Sequence, residues 1–289
     1  MKILDKFLIV LFNILLLLVA VWISAVPVAK SKNYYENQFE KNQIYSYVNE
    51  NGLEVVRRFK YLDGTYGKTT YFRNEQLDLI IEHIIDYLFN GKDSFELHLD
   101  QVLVDGEYLD DVSIFGEVAV THMKDVKVLF TVFRIISLIS LVGMIAIFVY
   151  FLKRLKTIKK DLLNVTLIFY GSILLIAGIF LLIVYLHMKK DNIPITSDWF
   201  LDTLWRDIHH ILFMFQPEKV EGSFFNDILT EVLTLDLFIT AVIIVVVTIV
   251  VMLTLWLTFT IVARIYGDKI YDKLPFKKRV KTYDEWWNY

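Results

Sequence analysis

Four long apolar runs divide the chain, and each can cross about 30 Å of hydrocarbon at a helical rise of about 1.5 Å per residue. Polar stretches of very different length separate these runs. This pattern predicts an α-helical membrane protein with four transmembrane helices. The runs are residues 7–27, 128–152, 165–187 and 235–263.

The first run has an alternative interpretation as a cleaved secretory signal, because it follows Lys2 and Lys6. Its apolar stretch, 7–25, exceeds the usual length of a signal core, and no clean A-x-A cleavage site follows it. We therefore expect a retained helix, with a cleaved signal as the alternative.

Lysine and arginine residues set the orientation. They are concentrated in the short segment 153–164 and in the tail 264–289. Short loops rich in these residues stay in the cytoplasm. We therefore expect both termini to be cytoplasmic, and the segments 28–127 and 188–234 to lie outside.

The first outer segment, 28–127, predicts a small α+β extracytoplasmic domain between helices 1 and 2. Asp63-Gly64 separates two runs rich in β-branched and aromatic residues, and Asp105-Gly106 is a second turn candidate. Between them, Asn74 can cap a helix whose apolar residues recur at helical spacing. These apolar residues are Leu77, Ile80, Ile81, Ile84, Ile85 and Leu88.

From Gly116 onwards the pattern changes to a helix that continues into the second span, because no Gly or Pro occurs until Gly143. Asp125 lies three residues after His122 on one helical face, close enough to hydrogen-bond the imidazole. Arg134 follows near the same face at the edge of the hydrocarbon. It is either a functional residue or a side chain that reaches out to lipid phosphate.

The second outer segment, 188–234, contains an apolar stripe at helical spacing over 198–215. This helix is too short to span, and it suits the membrane interface. His209 lies at the border of the stripe, whereas His210 lies on the polar side. Taken singly, each of His122 and His209 is more often an ordinary interfacial residue than a catalyst.

Composition supports the membrane class and narrows the chemistry. The chain is 56% hydrophobic, with a mean hydropathy of +0.49. It contains 0 cysteines, which excludes a cysteine nucleophile and thiolate metal sites. The net charge of −3 says little about partners, and no basic surface for nucleic acid is evident.

Two motifs resemble those of the lipoprotein intramolecular transacylase family, whose members are four-span bacterial membrane proteins. One is an acidic residue, four others, then H-M/L-x-D-V-K, found here as Glu117 followed by residues 122–127. The other is F-H-x-I-F-F, found here at 208–213, with a later Asp227 and "LTLDLF" at 233–238. Thr234 stands where the family pattern has proline.

The resemblance implies a membrane-bound acyltransferase in a bacterial plasma membrane, with its active site at the outer leaflet. Its substrate would be a diacylglyceryl-modified lipoprotein. The sn-2 acyl chain would pass to the α-amino group of the lipidated cysteine, giving the lyso-form. Membrane lipid is a partner, nucleic acid is not, and no cofactor or metal is needed.

This chemistry assigns roles to the candidate residues. A neutral amine needs a base and the departing glycerol oxygen needs an acid, both with a pKa near ambient pH. We expect His209 and His122 to divide these roles, with His209 favoured as the base. Asp125 would orient His122, and Arg134 would contact either the ester carbonyl oxygen or phospholipid. His210 and Glu117 are supporting candidates.

A non-enzymatic protein remains the alternative, namely a four-span sensor or interaction protein whose outer domain binds a ligand. That function would leave His122 and His209 far apart. A transporter is disfavoured, because the four spans show no repeat and little charge at mid-membrane depth.

Overall fold

The computed structural model describes residues 2–190 and 228–274 of the chain. The described chain is mostly helical, and three of its helices are long and apolar enough to cross a membrane. They are α1 (Lys2–Lys30), α4 (Glu117–Lys190) and α6 (Leu235–Lys273). Three shorter helices are α2 (Lys32–Lys41), α3 (Asn74–Phe89) and α5 (Ile228–Val232).

The chain forms two compact units. One contains the described residues 24–134 and 228–245, and we call it the outer unit after its predicted location. The other, the helical unit, contains 2–23, 135–190 and 246–274. The predicted α-helical membrane class with a small strand-containing region is confirmed. The number of spans and the predicted domain boundaries stay predictions.

Short antiparallel strands build the sheets of the outer unit. The largest sheet has 4 strands in the order β3-β4-β6-β7. The strands are β1 (Tyr47–Val48), β2 (Glu54–Val55), β3 (Phe59–Leu62), β4 (Thr65–Tyr71), β5 (His98–Leu99), β6 (Val102–Val104), β7 (Glu107–Leu109) and β8 (Val112–Ser113).

Both predicted hairpins form. Leu62 pairs with Thr65 across Asp63-Gly64, and Val104 pairs with Glu107 across Asp105-Gly106. In each turn the Asp and the Gly have positive φ, at 51° and 70° in the first and 51° and 92° in the second. Two-residue turns of this kind match the twist of the flanking strands.

Helix α3 begins where the sequence predicts, but the residue proposed to cap it is wrong. Arg73 is the N-cap, and the Gln76 side chain accepts a hydrogen bond from its N–H at 2.9 Å. The Asn74 side chain instead accepts from the Ser46 N–H at 3.0 Å. Asn74 therefore binds the backbone just before the β1–β2 hairpin and does not cap α3.

One face of α3 lies in the core of the outer unit. Leu77, Ile80, Ile81 and Ile84 are at most 1% exposed, as their helical spacing predicts. They pack with the inward side chains of the sheet and with the start of α4. Burying large aliphatic side chains stabilises a fold by about 1.5–3 kcal/mol each.

The short helix α5 connects the second outer segment to this core. Ile228, Leu229 and Val232 are buried within it. Between them, Glu231 accepts hydrogen bonds from the backbone N–H groups of Lys60 and Tyr61 at 2.9 and 3.2 Å. A carboxylate thus occupies donors along β3, which is an edge strand of the 4-stranded sheet.

Helix α4 keeps helical geometry from 117 to 190 but does not run straight. Phe148 packs on Phe259 with ring centroids 5.4 Å apart, and the Tyr170 hydroxyl donates to the Leu253 carbonyl at 3.3 Å. A straight helix would separate residues 148 and 170 by about 33 Å, whereas their partners 259 and 253 are only about 9 Å apart along α6. Residues 148 and 170 are therefore closer together than a straight α4 allows.

Two ion pairs locate the point where α4 turns. Lys156 binds Asp272 at 2.9 Å, and Lys159 binds Asp268 at 2.5 Å. From Phe148 to Lys156, the contacts of α4 move towards the C-terminal end of α6. From Lys159 to Tyr170 they move back, so α4 reverses direction near residues 156–159. The segment 153–164, predicted as a loop, is helical in the structure.

A polar group also joins α1 to α4 in the helical unit. Asp5 is 4% exposed and accepts hydrogen bonds from Tyr150 at 2.7 Å and from Arg154 at 3.0 Å. Deeper along α1, Asn13 donates to the Ile9 carbonyl at 2.7 Å and to Thr166 at 3.4 Å. Both arms of α4 thus contact α1.

Replacing Glu231 with alanine should destabilise the outer unit by about 1 kcal/mol, because two N–H groups of β3 lose their acceptor. Thermal unfolding of the purified protein in detergent measures the change. Glu231→Gln keeps an acceptor oxygen and should recover most of the loss. Glu50→Ala, in an exposed turn, is the control, and an equal loss in both alanine variants would contradict this role.

Candidate active site at the start of helix α4

Helix α4 begins within the outer unit. Phe115 and Gly116 are buried just before its first residue, Glu117, which is exposed. An acidic side chain in the first turn of a helix interacts favourably with its positive end. This position gives Glu117 a sufficient structural role at the helix terminus.

His122, the sixth residue of α4, is 8% exposed, and the next residue, Met123, is 4% exposed. Met123 belongs to the core of the outer unit. An imidazole is polar at both nitrogens, so burial in such surroundings restricts it to a few orientations. Sequence spacing alone could not predict this burial.

Asp125 is half-buried, three residues after His122 and therefore on the same side of α4. Its negative charge acts on Tyr87 of α3. Burial raises the pKa of the Tyr87 hydroxyl above its ordinary value, and the charge of Asp125 raises it further. Tyr87 is 1% exposed and was not among the candidates from the sequence.

Lys127, the last residue of the first motif, connects α4 to the end of α3. Its ammonium donates to the Lys92 carbonyl at 2.6 Å and lies 4.3 Å from the centre of the Tyr87 ring. These two contacts hold the helical turn after His122 against α3. In the sequence, only the motif pointed to Lys127. Nothing in the apolar spacing of α3 pointed to Tyr87.

Arg134 is exposed and lies about three turns after His122 on α4. An exposed guanidinium can reach lipid phosphate or contact a bound substrate. Both functions considered for Arg134 therefore remain predictions.

Two other histidines of the outer unit, His83 and His98, form contacts apart from the candidate site. His83 is 3% exposed, with Nε2 2.9 Å from the Phe95 carbonyl and Nδ1 2.8 Å from Lys92 Nζ. Burial lowers the pKa of His83 below its ordinary value. His98 lies on the surface, 3.0 Å from Asp111. His83 thus has a structural role in the core, and His98 forms a contact at the surface.

The second motif lies outside the described residues. His209, His210, the predicted interfacial helix over 198–215 and Asp227 all belong to the interval 191–227. Of the candidates, the structure therefore describes Glu117, His122 and Asp125 on the first turns of α4, with Glu117 exposed and His122 buried. The pairing of His122 with His209 stays a prediction.

The described part of the site suits proton transfer. Histidine gains and loses a proton near neutral pH, and a neighbouring carboxylate favours its charged form. Within residues 2–190 and 228–274, no three His, Cys, Asp or Glu side chains are grouped so that they could hold a metal ion.

Comparisons with known proteins agree with the motifs. Neither curated proteins nor solved structures give a significant match. The family model described as "Lipoprotein intramolecular transacylase Lit" matches residues 9–215, more than half of the chain. That interval includes both motifs, at 117–127 and at 208–213. The chain therefore belongs to the Lit family of lipoprotein intramolecular transacylases.

Proposed function

We propose that this transacylase moves the sn-2 acyl chain of a diacylglyceryl-modified lipoprotein to the α-amino group of its lipidated cysteine. The amine nitrogen attacks the ester carbonyl carbon. A C–N bond forms, the bond from that carbon to the glycerol oxygen breaks, and the product is an N-acyl, S-monoacylglyceryl lipoprotein. One substrate molecule supplies both reacting groups.

His209 and His122 divide the proton transfers. The base takes the proton that the amine loses as the C–N bond forms, and the acid gives a proton to the departing glycerol oxygen. We assign His209 as the base and His122 as the acid. One proton is taken and one is given, so the net reaction needs no oxidant, reductant or cofactor.

Asp125 and Arg134 support this chemistry. Asp125 orients the His122 ring and stabilises its protonated form. We assign Arg134 to contact the ester carbonyl oxygen as negative charge develops on it, with phospholipid binding as its alternative role. Holding amine and ester together within one molecule supplies further acceleration, a contribution that can reach about 7–11 kcal/mol.

The burial of His122 in the outer unit is the observation that carries the proposal. This histidine is only 8% exposed, on a helix that continues without interruption into an apolar run. A lipoprotein anchored by its acyl chains presents its glyceryl ester at the same boundary between water and lipid. An ordinary interfacial histidine would extend into water instead.

The anchored end of the second outer segment supports the participation of His209. Residues 228–237 are fixed to the outer unit, where Thr234 bonds Asn42 at 3.4 Å and Leu237 accepts from Tyr34. His209 lies 19 residues before Ile228. A segment of that length spans up to about 60 Å when extended, so His209 can reach the start of α4.

The reversal of α4 supports four membrane crossings. Its two arms contact α1 and α6 in the helical unit, and the basic residues near the reversal favour the cytoplasm. Three helices long enough to cross, one of them folded back, give four crossings with both termini inside. The protein then lies in the bacterial plasma membrane, with its site at the outer leaflet.

Alanine at either His122 or His209 should lower N-acylation by about 10²–10⁴-fold, the usual contribution of a general acid or base. The measurement is mass spectrometry of a lipoprotein's N-terminal lipopeptide, in a host lacking other N-acylating enzymes. His98→Ala changes an exposed histidine of the same unit and should retain activity.

Conversion that persists in His122→Ala would reject the assigned site. No conversion by the correctly inserted wild-type protein would reject the reaction itself and favour a sensor or interaction protein.

Single cysteines test the crossings directly, because the chain has 0 of its own. Asn51→Cys, in an outer turn, should react with a membrane-impermeant maleimide in intact cells. Lys160→Cys, exposed beside the reversal of α4, should react only after permeabilisation. Labelling of Lys160→Cys in intact cells would contradict four crossings.

A further inference from the structure

A cleft of about 530 Å³ opens on the outer unit, away from the start of α4. Three elements form its walls: the β1–β2 hairpin, the sheet and the beginning of α3. The lining side chains used below are Val56, Tyr71, Arg73, Glu75, Leu103 and Tyr108.

The lining combines apolar and charged groups that remain accessible. Tyr108 is 67% exposed and Val56 is 40% exposed, although both are large apolar or aromatic side chains. Arg73 and Glu75 add one charge of each sign at the start of α3. Tyrosines offer contact area at low cost in conformational entropy, which suits recognition of varied peptide sequences.

The position of the cleft along α3 relates it to the candidate active site. At its far end, α3 contacts α4, where Lys127 covers Tyr87 and the ring of Phe89 lies 5.3 Å from that of Phe130. Phe130 leads into the apolar span. Asn74, in the cleft, is 13 residues before Tyr87, or about 20 Å along the helix, so the cleft and the contact with α4 lie at opposite ends of α3.

We propose that this cleft binds the polypeptide of the lipoprotein substrate, several residues after its lipidated cysteine. The inference rests on the proposed function. With the acyl chains in the membrane and the cysteine beside His122, the polypeptide must leave across the outer unit. An extended chain advances about 3.3–3.6 Å per residue, so about six residues span the 20 Å of α3 between Tyr87, which contacts α4 through Lys127, and the cleft.

Substrate length gives the test. The substrates are synthetic diacylglyceryl-cysteinyl peptides with either two or twelve residues after the cysteine. Wild-type full-length protein in lipid nanodiscs should convert the long peptide with about ten-fold higher kcat/KM, through a lower KM. Tyr108→Ser should lose this length advantage and still convert the short peptide at the wild-type rate.

Tyr66→Ser is the matched control. Tyr66 lies on the same sheet and is 69% exposed, almost the same as Tyr108, but it does not line the cleft. It should retain the full length advantage. Val56→Asp, on the opposite wall, should behave like Tyr108→Ser without removing an aromatic ring from the sheet.

Equal kcat/KM for both peptides in the wild type, or an undiminished length advantage in both cleft variants, would overturn the inference. If the wild type converts neither peptide, the proposed reaction fails on its own. In that case, the affinity for an unreactive ether-linked lipopeptide with twelve residues after the cysteine tests whether the cleft binds the polypeptide. Weaker binding to Tyr108→Ser than to Tyr66→Ser supports the inference, and equal binding overturns it.

Discussion

The continuity of α4 is the constraint on which the rest depends. A backbone inside lipid must satisfy its own hydrogen bonds, so a chain that leaves a folded domain for the membrane does so most simply as one helix. Here that helix starts in the core of the outer unit and carries His122 on its second turn. The rotation of the imidazole within the outer unit is therefore fixed by the same residues that make this unit fold.

The contacts around Lys127 show how the start of α4 is held in rotation against α3. Its bond to the Lys92 carbonyl and its position over the Tyr87 ring join α4 to α3 just beyond His122. A helix that could turn by 100° would carry the histidine to another face. Lys127, at the end of the motif, thus has a structural role, although it has no evident part in the chemistry.

Local signals in the sequence were sufficient for local structure. Asp63-Gly64 and Asp105-Gly106 predicted both hairpins, because few residues accept positive φ, and apolar spacing predicted α3. The same signals could not reveal Glu231 on β3, since donor and acceptor are about 170 residues apart in sequence. Segment 153–164 was predicted as a loop because it separates two apolar runs, but its lysine, leucine and arginine residues are good helix formers.

The carboxylate of Glu231 has a consequence for aggregation. An edge strand with free N–H groups is a template on which another chain can add, and it promotes aggregation. Glu231 occupies two of these donors on β3 with a side chain that comes from the other end of the sequence. The outer unit thereby protects an edge of its sheet without a covalent crosslink, and the protection forms only when a residue about 170 positions later in the chain has packed against β3.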